Sequence, residues 1–206
     1  MELVSIKTKN HREDGAAIAE LVGGSTFLFS IDYLNNIKDF SLWAEGKVLS
    51  SLEEDSLLFA AACYKAEKIA LRLIARAEQS CLVLTAKLEK RGIEASVVRA
   101  VVSRLADREM LNDARYAELW IRSRLGSRKA LSPIRLLASL GKRGIDRASS
   151  LIAISKVLDE ETEFALLLKY LEETDILEGK GGRFLKTRLK HEGFSTEVIE
   201  KFFETI

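Results

Sequence analysis

Three times along this chain a leucine is followed, four residues on, by a glycine and then a large apolar residue: Leu88-Glu-Lys-Arg-Gly92-Ile93, Leu140-Gly-Lys-Arg-Gly144-Ile145 and Leu189-Lys-His-Glu-Gly193-Phe194. The glycines lie 52 and 49 residues apart. Each copy reads as a short amphipathic helix with basic residues in its last turn. Glycine follows at the position past the helix end, where a left-handed backbone carries no Cβ clash. Self-similarity at such a period marks a repeat architecture, and chains built this way present surfaces rather than enclose reaction centres.

The surrounding sequence fits three such units behind a different beginning. Leu3 to Ile6 alternates, and Ala16–Val22 and Thr26–Ile31 are apolar runs joined through Gly23-Gly24, which predicts a β-hairpin with a possible third strand. Tyr33 to Asp39 could form one helical turn, and Trp43 to Val48 is ambiguous. From Leu52 the period becomes helical: a long helix through Ala77, then Ser80 as N-cap of a helix ending at Gly92, then Ser96 to Arg108. Asn112-Asp113 starts a second unit, which continues through a polar basic loop, Gly126 to Lys129, and Ser132-Pro133 as N-cap and first helical residue. Arg147 to Leu158 closes it. The third unit runs through Phe164–Leu171, Phe184–Glu192 and Ser195–Phe203. The expected fold is therefore mainly α: tandem three-helix repeats in three copies, with a small N-terminal β-hairpin segment. The expected divisions are 1–50, 52–111, 112–160 and 161–206.

Charge is uneven although the net is only +1. Residues 87–150 carry 15 Lys+Arg against 7 Asp+Glu, whereas residues 1–86 carry 9 against 12 and residues 151–206 carry 8 against 12. A basic middle between acidic flanks points to binding of a polyanion or an acidic surface. With 206 residues, 47% of them apolar, and one proline, the chain has material for a core and little for long linkers. Its apolar runs are too short to span a bilayer and its first residues lack a basic-then-apolar leader, so a cytoplasmic location and no membrane partner are expected. Cys63 and Cys81 sit in apolar helical patterns and read as thiols of the interior.

Catalytic constellations are scarce. The two histidines, His11 and His191, have no spaced ligand partners, so no metal, cofactor or small-molecule substrate is expected, and the chain reads as a non-enzyme. The Gly179–Arg183 stretch resembles a phosphate loop only superficially, because it lacks the spacing and hydroxyl residue of one and follows no strand. The helices that could enter a nucleic-acid groove carry too few Arg, Asn and Gln for base reading, which leaves backbone contact. In the segment Leu111 to Arg124, helical spacing puts Tyr116, Ala117, Trp120 and Ile121 on an inward face and Arg115, Glu118 and Arg122 on the opposite one.

These residues carry a family resemblance. Asp113-x-Arg115-Tyr116-Ala117, an Arg-rich loop, Pro133-x-Arg135 and Leu-x-x-basic-Arg143-Gly144-Ile145, with flanking copies of the Leu…Gly unit, resemble RecX, the bacterial regulator of the RecA recombinase. The resemblance covers about residues 52–206. It implies a protein that docks in the groove of a RecA-type filament on single-stranded DNA and inhibits its ATPase and strand exchange. By that resemblance Arg115, Arg122, Arg124, Arg128, Lys129, Arg135, Lys142 and Arg143 are candidate contacts to recombinase or DNA. Asn112 stands where the family often has Asp, and Glu192 replaces the basic residue before the third glycine. The alternative is a stand-alone repeat protein that binds single- or double-stranded nucleic acid weakly and without sequence preference.

Overall fold

The computed structural model describes residues 1–8, 15–34, 40–174 and 181–205. His11, most of the turn expected over Tyr33–Asp39 and the Glu178–Lys180 part of the glycine-rich stretch lie outside them. Among the described residues three strands, β1 (Leu3–Thr8), β2 (Ala16–Leu21) and β3 (Thr26–Ser30), form an antiparallel sheet in the order β1-β2-β3. Nine helices follow among the described residues: α1 (Ser51–Arg76), α2 (Cys81–Glu89), α3 (Ala95–Asp107), α4 (Asp113–Leu125), α5 (Pro133–Gly141), α6 (Arg147–Val157), α7 (Glu160–Thr174), α8 (Gly182–His191) and α9 (Thr196–Thr205). The architecture is thus mainly helical with a small N-terminal sheet, as the sequence pattern implies.

The chain divides into two compact units. One holds Met1–Ala77 and Leu84–Leu111, the other Glu78–Val83 and Asn112–Ile206. In the first unit β3 and α3 pack on α1. The helix α1 starts with a capping box: the Glu53 amide donates to Ser50 Oγ (3.4 Å) while the Ser50 amide donates to the Glu53 carboxylate (2.9 Å). Charge also closes this core. The Arg104 guanidinium lies 4.9 Å from the Tyr33 ring centroid, pairs with Asp32, and sits with its Nε 3.6 Å from Glu67.

In the second unit α4 and α5 pack on α6, and α7 and α8 on α9. Both triples share one core in which Ile121, Leu136, Leu140, Leu167, Leu189 and Ile199 are completely buried. At an apolar transfer value near 25 cal/mol per Å2, burying each such side chain is worth about 1.5–3 kcal/mol relative to exposure.

The three repeated glycines do two jobs. All have positive φ, +76° at Gly92, +84° at Gly144 and +87° at Gly193, as helix termination by a left-handed residue requires. Two of them are also places of close approach. A Cβ on Gly144 would lie 2.5 Å from Leu82 Cβ, and one on Gly193 would lie 3.2 Å from the Ile134 amide nitrogen. Hydrogen bonds lock the same joints. Ser80 Oγ donates to the Arg143 carbonyl (2.7 Å) while also accepting from the Val83 amide (3.2 Å), and the Ile134 amide donates to the Glu192 carbonyl (3.0 Å). Each turn therefore seats on the first residues of a preceding helix, α2 for the second copy and α5 for the third. A Cβ on Gly92 would meet nothing within 4 Å among the described residues.

This difference is measurable. Gly92→Ala should cost about 1 kcal/mol, the strain of a side chain at positive φ. Gly144→Ala adds a collision with Leu82 and should cost at least twice as much in denaturant-unfolding free energy. Equal losses for the two variants would contradict the close-approach role.

Candidate interaction surface

The site is built from the bottom of α4 upward. The Asn112 side chain accepts from the Arg115 amide (2.9 Å) and caps the helix, while Asp113 Oδ1 accepts from the Cys81 amide (2.8 Å). Tyr116, Ala117 and Ile121 are buried, as their spacing predicts; Trp120 is only half-buried. Two arginines cover part of what the core leaves open. Arg124, one turn on, holds its guanidinium carbon 5.5 Å from the indole centroid, and Arg143, from the turn after α5, holds its own at 4.4 Å. Arg143 is fixed further by donating from Nη1 to the Ser139 carbonyl (2.7 Å). The first copy repeats this gesture, with Arg91 Nη1 donating to the Lys87 carbonyl (2.6 Å).

The basic loop between α4 and α5 is tied down at both ends. Ser127 Oγ shares its one proton between the carbonyls of Arg124 (2.6 Å) and Lys129 (3.0 Å), and Lys169 Nζ donates to the Ser127 carbonyl. Glu173 accepts from the Ala130 amide (2.8 Å). Arg128 and Lys129 are left exposed on a defined backbone. Arg122 is also exposed, and its charge helps, after the hydrogen bonds from Thr162, to hold the Asp159 carboxyl below its ordinary range.

The eight residues expected from the sequence thus fall into different situations. Arg124 and Arg143 meet on one indole. Arg122, Arg128, Lys129 and Lys142 are exposed. Arg115 pairs with Glu78 (2.6 Å), and Arg135 stands 3.9 Å from Glu192, so part of their charge is spent inside the protein. Sequence spacing assigns Trp120 to the inward face without its guanidinium cover; the Trp120-x-x-x-Arg124 interval is the signal that could have revealed half of it.

Glu192, which reads in the sequence as a weakening of the third repeat, is a joint. It is buried, accepts from Ser132 Oγ (2.6 Å) and lies 3.3 Å from Arg188. Ser132 is the N-cap residue of α5, yet its hydroxyl makes no capping bond and is directed to this carboxylate instead. Burial, followed by the charge and hydrogen bonding of Glu192, raises the Tyr170 phenol above its ordinary range. Among the described residues no group of three or more His, Cys, Asp or Glu could hold a metal ion, and no helix is long and apolar enough to cross a membrane.

A core of short helices with basic side chains on fixed turns defines a protein of helical repeats. The family model for RecX, second three-helix domain, matches residues 112–149. Regulatory protein RecX of Treponema pallidum (strain Nichols) is 37% identical over 146 residues, covering 71% of this chain and 88% of that protein. Its counterpart from Pseudomonas entomophila is 33% identical over 138 residues, covering 64% and 85%. A crystal structure of regulatory protein RecX superposes with a TM-score of 0.67 at 19% identity over 97% of both chains. That of RecX from Lactobacillus salivarius gives 0.55 at 21% identity over 71% of this chain and 97% of the other. The chain belongs to the RecX family, a family of regulatory proteins, and its role is regulatory.

Truncation of the joint tests its weight. Glu192→Ala leaves the Ser132 hydroxyl buried without its acceptor and should lower unfolding stability by about 1–3 kcal/mol, with Glu192→Gln, which keeps an acceptor, losing less. Wild-type stability of the alanine variant would remove Glu192 from the joint.

Proposed function

We propose that this chain binds a RecA-type recombinase filament on single-stranded DNA and inhibits its ATPase and strand exchange. In this reading residues 52–206 act as three repeat modules, and the second, residues 112–160, supplies the main contact. The observation that carries it is the positive charge that the middle segment keeps exposed, at Arg128 and Lys129 on a tethered loop and at Lys142 on a docked turn. A recombinase filament offers phosphates and acidic protein to such a face, and electrostatic complementarity sets both register and encounter rate. The regulatory role of the relatives supports the same reading. A cytoplasmic location, contribution to DNA repair and recombination within the SOS response, and contact through Arg122, Arg124, Arg128, Lys129, Lys142 and Arg143 belong to it, with Arg115 and Arg135 as weaker contributors because carboxylates already engage them.

The test is charge reversal at exposed positions. Arg122→Glu, Arg128→Glu and Lys129→Glu combined should abolish inhibition of the DNA-dependent ATPase of the cognate recombinase while leaving helicity, read by circular dichroism, unchanged. Lys186→Glu with Lys190→Glu, in α8, should affect inhibition far less. Full inhibition by the triple variant would make the basic loop a merely solvated face. Loss of nothing but bare-DNA affinity would favour the stand-alone nucleic-acid-binding alternative.

A further inference from the structure

The helix that follows each repeated glycine is aligned with its counterparts by that glycine. Arg99 and Ala100 of α3 correspond to Leu151 and Ile152 of α6 and to Glu200 and Lys201 of α9. Arg99, Glu200 and Lys201 are exposed and charged, as outward positions of an amphipathic helix should be. In α6 the same positions hold large apolar side chains, yet Leu151 is 47% and Ile152 66% exposed. The core of the second unit does not use them, since α6 supplies Ala153 and Val157 to it instead.

Leu151 and Ile152 line a trough of about 490 Å³ together with Pro133, Ile154, Leu158 and Gly193. A second trough, of about 310 Å³, is lined by Ile134, Leu137, Ala138 and Ile145 and ends at Arg147. Pro133 and Ile134 are consecutive, so the two meet at the start of α5. Clustered exposed apolar side chains of this kind mark contacts between proteins.

The two ends of α6 differ in sign. Arg147 is exposed at its start, and no carboxylate pairs with it among the described residues; the neighbouring Asp146 is spent on the Ser149 amide (2.9 Å). Just past its other end stand Asp159, Glu160 and Glu161, all exposed. Lys201 pairs with Glu160 and the charge of Arg122 acts on Asp159, so three carboxylates face two cations and this end stays acidic. Lys156, the other cation of the helix, is held by Glu118 (2.6 Å).

We propose that this face is where two copies of the chain pair, α6 against α6 in antiparallel sense, around a two-fold axis near Leu151 and Ile152. Such an axis lays the Leu151–Ile152 ridge of each copy beside the trough of the other and brings Arg147 of each toward the acidic end of the other. Parallel pairing would oppose like charges at both ends, and a uniformly acidic or basic partner would be repelled at one. One helix and its flanks make a small interface, so the pair is a weak dimer of micromolar affinity and not an obligate one. Neither recombinase nor DNA enters, so pairing stands or falls apart from the function proposed above.

Sedimentation equilibrium of the full chain, from micromolar to sub-millimolar concentration, should show monomers in equilibrium with dimers. Ile152→Asn, at a position too exposed for the fold to rest on it, should weaken dimerisation roughly tenfold or more, because its burial occurs twice in the pair. Arg147→Glu should weaken it by setting like charges against each other at both ends, and so should Glu160→Lys combined with Glu161→Lys. An equimolar mixture of these two charge variants should dimerise more tightly than either alone, since facing charges are opposite again in the mixed pair. Circular dichroism should report the same helicity throughout. A chain that stays monomeric over the whole range, a dimer indifferent to Ile152→Asn, or a mixture no tighter than its components overturns the proposal.

Discussion

Everything in the second unit depends on how closely two turns approach the beginnings of two helices. Without a Cβ, Gly144 lets the Arg143 carbonyl reach Ser80 Oγ, and Gly193 lets the Glu192 carbonyl reach the Ile134 amide. A side chain at Gly144 would collide with that of Leu82, and one at Gly193 would press on the Ile134 backbone nitrogen. Helix termination needs a left-handed residue, and these joints also need an absent side chain, so one residue type meets both demands. Because Arg143 precedes one of these glycines, the constraint that seats the turn also sets where a guanidinium stands.

Much of this is readable in the sequence. The glycine period, the Ser132-Pro133 and Asn112 starts and the switch from strand to helix periodicity are local signals, and local signals determine where elements begin and end. The Ser50-x-x-Glu53 capping box is equally local, though periodicity alone passes over it. What spacing could not supply is contact between residues distant in sequence. Glu192 reads as a lapse from a basic consensus, whereas its carboxylate is matched to Ser132, 60 residues away. Trp120 reads as core, yet its outer surface is claimed by Arg143 from the turn after α5. In the same way the formal charge of residues 87–150 overstates what is available, since Arg104, Arg108 and Arg115 are engaged by acids elsewhere.

Which cations remain therefore matters more than how many there are. An arginine opposed by a carboxylate presents little net field, while one held by an aromatic ring or a carbonyl keeps its charge. The protein uses both kinds. In the first unit carboxylates tie α3 to Asp32, just past β3, and to Glu67 of α1, whereas the neutral supports around Trp120 and the tethered 126–131 loop keep positive charge outward on a fixed backbone.

Hydrogen exchange of this protein, alone and bound to recombinase-coated single-stranded DNA, tests that account most directly. The account predicts slowed exchange in the last turns of α4, in residues 126–131 and in the Leu140–Gly144 turn, with β1, β2 and β3 unchanged. Protection confined to the sheet and α1, with the basic middle exchanging as in the free protein, would contradict it.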